Sequence, residues 1–334
     1  MDMFQLSRAR DLPDAIKAGA SAHTAQQGAE VRFLAGGTTL VDLMKLNVER
    51  PVRVVDIRRL PLDAIEATDD GGVRIGATSR NSDVAHHALI RERYPVLSQA
   101  LLSGASVQLR NMATTGGNLL QRTRCVYFRD TASACNKREP GTGCSAIGGA
   151  NRMMAILGTS ESCIASNPSD MNVALAALEA TIHVEGTSGK RAIAFDDFYL
   201  LPGTTPDREH VLEAGDLITH VTLPPPVEGA RSVYLKLRDR ASYEFALASA
   251  AIVAGVKDGR IEHVRVGLGG VATKPWRSRE AENELLNAAP DEATFRRAAD
   301  AALADAKPQS ENGFKVELAR RCIVHALKLA TQAS

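Results

Sequence analysis

A chain of 334 residues with 44% hydrophobic and 24% charged residues has the composition of a globular protein, and its length predicts two or three domains. The formal net charge is +1 and aromatic residues make up 4%, so we expect neither a nucleic-acid partner nor base-stacking platforms. No apolar run is long enough to predict a membrane span, and the N-terminal residues lack the apolar segment of a secretion signal.

The first predicted elements surround a glycine pair. Residues 3–6 predict a strand, and Asp11 is placed to cap the helix that follows. The apolar residues 32–35 then predict a strand that ends at Gly36-Gly37-Thr38-Thr39, before a short helix over residues 41–46. A strand, two glycines, two hydroxyls and a helix bring backbone N–H groups up to an anion, and a diphosphate is the natural ligand. The motif is neither a Walker A sequence nor G-x-G-x-x-G.

A second glycine-rich turn, 114–118, reads Thr-Thr-Gly-Gly-Asn. Before it the sequence predicts a strand, a hairpin at Asp69-Asp70-Gly71-Gly72 and two helices, the first of them capped within 81–83. The adjacent His86 and His87 point in different directions on a helix, so we do not interpret them as a ligand pair.

The last third of the chain predicts a separate α+β domain. An alanine-rich helix over 171–180 and strands at 181–184, 191–194 and 217–223 come first. Three consecutive prolines at 224–226 then predict a domain boundary. Three strands follow and precede three helices, which is the order expected of an α+β domain. The predicted strands are 232–237, 245–256 and 261–269, and the predicted helices are 277–287, 291–305 and 312–331.

Four of the five cysteines lie within one polar, loop-forming stretch. Their surroundings argue against four unrelated core thiols. Structural zinc usually uses paired C-x2–4-C knuckles, which this stretch lacks, and the common ferredoxin spacing is missing as well. The spacing of the cysteines therefore favours a [4Fe–4S] cluster only slightly over zinc. We expect Cys322, which lies in the predicted last helix, to be a core residue. The four clustered cysteines are Cys125, Cys135, Cys144 and Cys163.

Several motifs together resemble the FAD-binding medium subunits of the xanthine dehydrogenase family of molybdenum hydroxylases. The resemblance spans nearly the whole chain. The insertion RTRCVYFRDTASACNKREPGTGCSAIGG is similar to the branch of periplasmic aldehyde oxidoreductases whose FAD subunit also carries a [4Fe–4S] cluster. The motifs are FLAGGTTLVDLMK, ATTGGNLLQRTRC, SNPSDMNVALAAL, LPPP, YLKLRDRASYEFALASAA and GGVATKPWR.

The resemblance implies an α+β fold with two domains. A two-lobed FAD-binding domain of PCMH type, like that of vanillyl-alcohol oxidases, would cover 1–223, with lobes 1–58 and 59–223 and an iron–sulfur loop at 119–165. A smaller domain of the CO dehydrogenase flavoprotein type would cover 224–334 and hold a three-stranded antiparallel sheet plus helices.

The resemblance also implies the binding residues. Backbone amides and hydroxyls of the first loop would bind the FAD diphosphate, and the second loop would approach the cofactor closely. Asp170 would bind a ribose hydroxyl, although it is also a candidate helix cap, and Lys236 would lie near the flavin ring. The four clustered cysteines would ligate the iron–sulfur cluster. The two FAD loops are Arg32, Phe33, Leu34, Ala35, Gly36, Gly37, Thr38, Thr39 and Leu40, and Thr114, Thr115, Gly117 and Asn118.

The implied function is electron transfer within a heterotrimeric aldehyde oxidoreductase. A large subunit would hold the molybdenum cofactor, a small subunit would hold [2Fe–2S] centres, and this chain would pass their electrons through FAD to an external acceptor. No nicotinamide site is evident, so the acceptor could be NAD, oxygen, a quinone or a small carrier. The compartment is either the periplasm, by co-export with a partner carrying a twin-arginine signal, or the cytoplasm.

Two other functions fit parts of the pattern. A self-sufficient FAD oxidase of small alcohols could share the fold, but His220 and His263 lack a recognisable covalent-flavin setting and the domain after Pro226 is short. A zinc-stabilised binding module without flavin would explain the cysteines alone.

Overall fold

Three β-sheets organise the computed structural model, which describes residues 1–332. Among the helices of this range, none is both long and apolar enough to cross a bilayer. In chain order the elements are β1 (Gln5–Arg8), α1 (Leu12–Gly19), β2 (Val31–Leu34), α2 (Leu40–Lys45), β3 (Arg53–Asp56), β4 (Ile65–Ala67), β5 (Val73–Gly76), α3 (Asn81–His86), α4 (Ala88–Arg93), α5 (Pro95–Ser103), α6 (Val107–Arg110), α7 (Thr115–Leu119), α8 (Val126–Arg129), α9 (Asp170–Ala177), β6 (Thr181–Gly186), β7 (Gly189–Ala194), α10 (Phe195–Phe198), β8 (Leu217–Leu223), β9 (Arg231–Leu237), β10 (Ala248–Lys257), β11 (Arg260–Gly269), β12 (Trp276–Arg277), α11 (Arg279–Leu285), α12 (Glu292–Ala302) and α13 (Phe314–Thr331).

The first sheet is parallel, in the order β1-β3-β2. Its crossover helix α1 begins where the sequence predicts, because an Asp11 carboxylate oxygen accepts from the Asp14 amide at 2.8 Å. Leu34 at the end of β2 pairs with Asp56 at the end of β3. The first glycine loop therefore leaves the sheet at the carboxyl edge of its strands.

The second sheet is antiparallel, in the order β4-β5-β8-β6-β7, and it packs against helices α3, α5 and α9. Every residue of α9 is buried, because the helix lies between α5 and the strands β10 and β11. The Ser169 hydroxyl caps α9 by accepting from the Asn172 amide at 3.1 Å, which leaves Asp170 as the first helical residue.

The predicted cap of α3 within 81–83 is wrong. The helix begins at Asn81 after Arg80, whose side chain makes no capping hydrogen bond. The Asn81 amide instead donates to the carbonyl of Ala113 at 2.8 Å, and the Thr115 amide donates to the carbonyl of Ser79 at 2.9 Å. A tertiary contact with the second glycine loop has replaced the local cap.

The third sheet is antiparallel but has four strands, not the three predicted, in the order β12-β11-β10-β9. The additional strand β12 is two residues long and includes Arg277, which the sequence assigned to a helix. The helix starts later because the Ser278 hydroxyl caps it, accepting from the Ala281 amide at 3.3 Å. The sheet that does have three strands is the parallel one. The predicted C-terminal domain runs to residue 334, and its last two residues lie outside the described range.

The stacked pair His183 and His220 should make the stability of the fold fall at acidic pH. Their rings face each other across β6 and β8 and stack with centroids 4.1 Å apart. Burial lowers the pKa of His220 from 6.5 to about 4 and lowers that of His183 as well. Because the unfolded chain binds these protons more readily, the stabilisation is complete above pH 6.5 and is lost as the pH falls towards 4.

We therefore expect the urea midpoint of His220→Gln to fall less than that of the wild type between pH 6.5 and pH 4. His325→Gln, which removes an exposed histidine from α13, is the control and should follow the wild type. Equal acid sensitivity in His220→Gln and the wild type would contradict the assignment.

Candidate functional site

The two glycine-rich loops predicted from the sequence lie in direct contact. A Cβ added at Gly36 would come 2.0 Å from the carbonyl oxygen of Met112 and 3.0 Å from the Cα of Ala113. No side chain fits at that approach. Gly37 is required for a different reason, because its φ of +74° lies in the left-handed region.

A cavity of about 200 Å³ lies beside this contact. Both loops line it, together with residues 209, 210 and 212–218. Thr38 and Thr39 face it, and the Thr39 side chain makes no capping hydrogen bond with α2. Glycines, backbone groups and the hydroxyls of Thr38 and Thr39 form one part of the wall, where backbone N–H groups can approach an anionic group closely. Apolar and acidic side chains form much of the rest of it. From the two predicted loops it is lined by Arg32, Phe33, Ala35, Gly36, Gly37, Thr38, Thr39, Leu40, Thr114 and Gly117.

Three predicted loop residues do not line this cavity and instead support the loops. Leu34 packs beneath Gly37. Thr115 is buried, and its hydroxyl donates to the carbonyl of Ser79 at 3.3 Å. The Asn118 carbonyl oxygen accepts from the Ser169 hydroxyl at 2.7 Å, which joins the second loop to the start of α9.

The Arg32 side chain is committed to the protein itself. Its guanidinium pairs with Glu49 at 2.8 Å and donates to the carbonyls of Ala25 and Gln26 at 2.7 and 2.6 Å. Its backbone belongs to strand β2, as do those of Phe33 and Leu34. The loop proper therefore begins at Ala35.

Asp170 and Lys236, which the sequence assigned to different parts of one cofactor, form a buried ion pair of 2.8 Å. The Tyr234 hydroxyl donates to the other oxygen of Asp170. Burial, together with this carboxylate, raises the pKa of Tyr234 well above 10, so the phenol remains protonated. Asp170 lines a second cavity, of about 540 Å³, that also touches Cys125, Ser169, and residues of β10 and the 244–246 loop. Lys236 is not among its lining residues and lies behind Asp170.

The four clustered cysteines converge on one small cavity, which is lined by all of them. Cys135 and Cys144 face each other in an antiparallel bridge, and Cys163 closes a turn with Ser160. Cys125, Cys135 and Cys163 are buried and Cys144 is partly buried. Burial, with the nearby thiols of Cys135 and Cys163, raises the pKa of Cys125 to about 11.

The arrangement of these thiols bears on the kind of metal group that fits. Within residues 1–332, no three or more His, Cys, Asp or Glu side chains are placed to hold a single metal ion. A zinc ion would need its sulfurs about 2.3 Å from one centre. A [4Fe–4S] cluster also uses four thiolates, so the donor set around this cavity fits either group. Cys322 lies elsewhere, in the core between α13 and the third sheet, as the sequence predicted.

Sequence reasoning missed a group of charged side chains that lies beside the loop cavity and the cysteine cavity. Arg122 pairs with Glu49 and Glu209, and Glu209 also accepts from Lys137 at 2.8 Å. Arg122 and Lys137 lie in the cysteine stretch, but their acidic partners are 72 and more residues away in sequence. No local pattern could have found them.

Comparison with known proteins identifies the family of this chain. Residues 2–226 match the FAD binding domain in molybdopterin dehydrogenase, and residues 233–330 match the CO dehydrogenase flavoprotein C-terminal domain. The chain is 51% identical over 309 residues to the aldehyde oxidoreductase FAD-binding subunit PaoB of Escherichia coli (strain K12), with 92% of this chain and 93% of that protein covered. It is 29% identical to the glyceraldehyde dehydrogenase medium chain of Sulfolobus acidocaldarius, over 85% of this chain and 81% of that one.

A solved structure has the same fold. The carbon monoxide dehydrogenase of Hydrogenophaga pseudoflava, in a form that lacks the Mo-pyranopterin moiety, aligns with a TM-score of 0.76 and 25% identity. The alignment covers 98% of this chain and 97% of that one. The family match extends through both halves of the chain, and the two glycine loops that it includes meet in space. This chain therefore belongs to the FAD-binding medium subunits of the molybdenum hydroxylase family.

Proposed function

We propose that this chain is the FAD-binding electron-transfer subunit of a heterotrimeric, molybdenum-containing aldehyde oxidoreductase. The observation that carries the proposal is the contact of two glycine-rich loops at Gly36 beside a cavity with free hydroxyls. The 51% identity to an aldehyde oxidoreductase subunit supports the substrate class. FAD, when bound, supplies the exchange of electrons between donors and the final acceptor.

The partner subunits complete the reaction. An aldehyde and water give a carboxylic acid, two protons and two electrons at the molybdenum cofactor of a large subunit. The electrons reach this chain through [2Fe–2S] centres of a small subunit and leave to an external two-electron acceptor. Compartment remains a prediction, either periplasmic by co-export or cytoplasmic.

Backbone N–H groups from Ala35 to Leu40 and the hydroxyls of Thr38 and Thr39 would hold the FAD diphosphate. Gly36 and Gly37 leave room for that approach. The second loop, at Thr114 and Gly117, forms the opposite side, while Thr115 and Asn118 hold it against Ser79 and α9. Arg32 acts through Glu49 by fixing the strand that precedes the loop.

Asp170, at the edge of the second cavity, would accept from a hydroxyl of the cofactor. Lys236 and Tyr234 hold its carboxylate in place, because each donates a hydrogen bond to one of its two oxygens. Lys236 would therefore act on the cofactor site by positioning Asp170, since it does not line the cavity itself. The C-terminal domain, 224–334, supplies Lys236 and closes over the FAD domain, 1–223.

The four clustered cysteines hold a [4Fe–4S] cluster in the loop 119–165. Their convergence on one cavity supports this assignment over four isolated thiols. Asn136 stiffens the loop, because its side-chain oxygen accepts from the amides of Gly141 and Gly143 at 3.1 and 2.8 Å. Its amide nitrogen donates to the carbonyl of Ser162, which brings the segment of Cys163 alongside.

Gly36→Ala tests the loop contact. The added methyl group would overlap the Met112 carbonyl, so the loops must separate. We expect the FAD content of the purified chain to fall by at least tenfold. Gly313→Ala is the matched control, because a Cβ there meets nothing within 4 Å and the backbone is helical. Full flavin content in Gly36→Ala would refute the loop assignment.

Cys135→Ser and Cys144→Ser test the cluster. Each removes one of four thiolates, so we expect iron and sulfide per chain to fall well below the roughly four of an intact cubane. Cys322→Ala, which removes the core thiol, should keep the wild-type iron content. If the wild type contains zinc in place of iron, the four cysteines form a zinc site and the cluster assignment is refuted. The FAD assignment would be unaffected.

Lys236→Met tests the buried ion pair. Removing the ammonium leaves the Asp170 carboxylate buried with Tyr234 as its remaining side-chain donor. We expect a loss of about 3–5 kcal/mol in the free energy of unfolding of the apoprotein, measured by urea titration. The double variant Asp170→Asn/Lys236→Met should recover part of this loss, whereas additive losses would show that the pair is not coupled.

A further inference from the structure

A group of five charged side chains lies between the loop cavity and the cysteine cavity, and we call it the bridging network. Arg32, Glu49, Arg122 and Glu209 line the loop cavity. Lys137 lines the cysteine cavity together with the four thiols. The network therefore touches the walls of both proposed cofactor sites.

Arg122 is the centre of the bridging network. Its Nη1 donates to Glu49 at 2.5 Å and to Gln27 at 2.9 Å, and its Nε pairs with Glu209. The guanidinium carbon lies 4.8 Å from the ring centroid of Phe128, a fully buried residue that packs with three of the cysteines. Its Nη2 is buried without a hydrogen-bond acceptor among residues 1–332.

Lys137 is held against the same carboxylate from the cysteine side. Its ammonium donates to Glu209 at 2.8 Å and to the carbonyl of Pro206 at 2.9 Å, and its side chain is 9% exposed. It follows Cys135 by two residues and lies close enough to Cys163 to affect that thiol electrostatically. Arg122 likewise lies close enough to Cys135 for that thiol to contribute to raising the pKa of the guanidinium.

The bridging network carries an excess of positive charge. Three cations face two carboxylates. Burial raises the pKa of Glu209, but Arg122 and Lys137 outweigh that effect and lower the pKa to about 2, so it remains a carboxylate. The neighbouring His210 adds no charge, since burial lowers its pKa to about 3. One net positive charge therefore remains in a region that water screens poorly.

Such a charge has a direct effect on a nearby iron–sulfur cluster. A cluster held by four thiolates is anionic, and reduction by one electron adds a further negative charge. A buried cation stabilises the reduced form more than the oxidised form and so raises the reduction potential. Lys137 and Glu209 should act with opposite signs, because one is positive and the other negative.

We propose that Lys137 and Arg122, balanced by Glu209, set the reduction potential of the cluster held by the four clustered cysteines, and that they do so through the ion pairs that connect the cysteine cavity with the loop cavity. The inference rests on the proposed cluster. It assigns to these residues a tuning role in addition to joining the cysteine loop to the FAD domain.

The test is a redox titration of the purified complex, followed by the electron paramagnetic resonance signal of this cluster. The variants are Lys137→Gln and Glu209→Gln, and clusters on partner subunits serve as internal references. Lys190→Gln is the control, because that lysine side chain is 83% exposed and lies on β7. Iron and sulfide are determined first for every sample.

We expect Lys137→Gln to lower the potential, Glu209→Gln to raise it, and Lys190→Gln to leave it unchanged, with iron content preserved. Shifts in the same direction in both network variants, or no shift in either, would overturn the tuning role. Loss of iron in Lys137→Gln and Glu209→Gln, with wild-type iron in Lys190→Gln, would reduce the network to a structural one. A wild type without iron would instead refute the proposed cluster itself.

Discussion

The contact between Gly36 and the carbonyl of Met112 is the constraint on which the FAD half of the molecule depends. It brings the end of a parallel strand against a loop that belongs to the antiparallel sheet. Because no side chain separates the two backbones, their N–H groups and hydroxyls can face one ligand from two sides. The amides of Thr115 and Gly116 donate to the carbonyls of Ser79 and Ala77, and the Ala113 carbonyl accepts from the Asn81 amide. These hydrogen bonds fix the second loop's half of the contact.

A second kind of constraint holds the cysteine loop to this frame. The loop carries little regular structure, and four-residue α8 is its one helix within the described chain. Charged pairs hold the loop instead. Arg122 and Lys137 pair with Glu209, and the partly exposed Arg124 and Arg129 pair with Asp42 on α2. Breaking the more buried pairs, those of Arg122 and Lys137, would be costly because a charge would lose its partner. They position the four thiols relative to the FAD loops.

The C-terminal half joins through α9. This helix is buried on all sides, and Gly267 of β11 approaches it so closely that a Cβ would lie 2.5 Å from the carbonyl of Val173. At its first residue, Asp170 meets Lys236 and Tyr234 from β9. Helix α9 thus connects the second cavity with the second and third sheets. The Asp170 carboxylate lies where the two halves of the chain meet.

Local chemistry explains where sequence reasoning succeeded. Asp11 at the start of α1, the Gly71-Gly72 turn and the strand 217–223 depend on residues close in sequence, and the structure has them as predicted. The two glycine loops were identified for the same reason. The cap of α3 and the strand β12 were missed because a distant carbonyl and an edge pairing decide them.

The sequence by itself indicated the family and singled out the two glycine-rich loops and the four clustered cysteines, because each is written in contiguous motifs. Only the tertiary structure decided which side chains face a cavity and which support it from behind. Leu34, Thr115 and Asn118 support the glycine loops from behind, and Lys236 forms an ion pair with Asp170. Pairing of buried charges depends on distances across the fold, and no spacing along the chain encodes those distances.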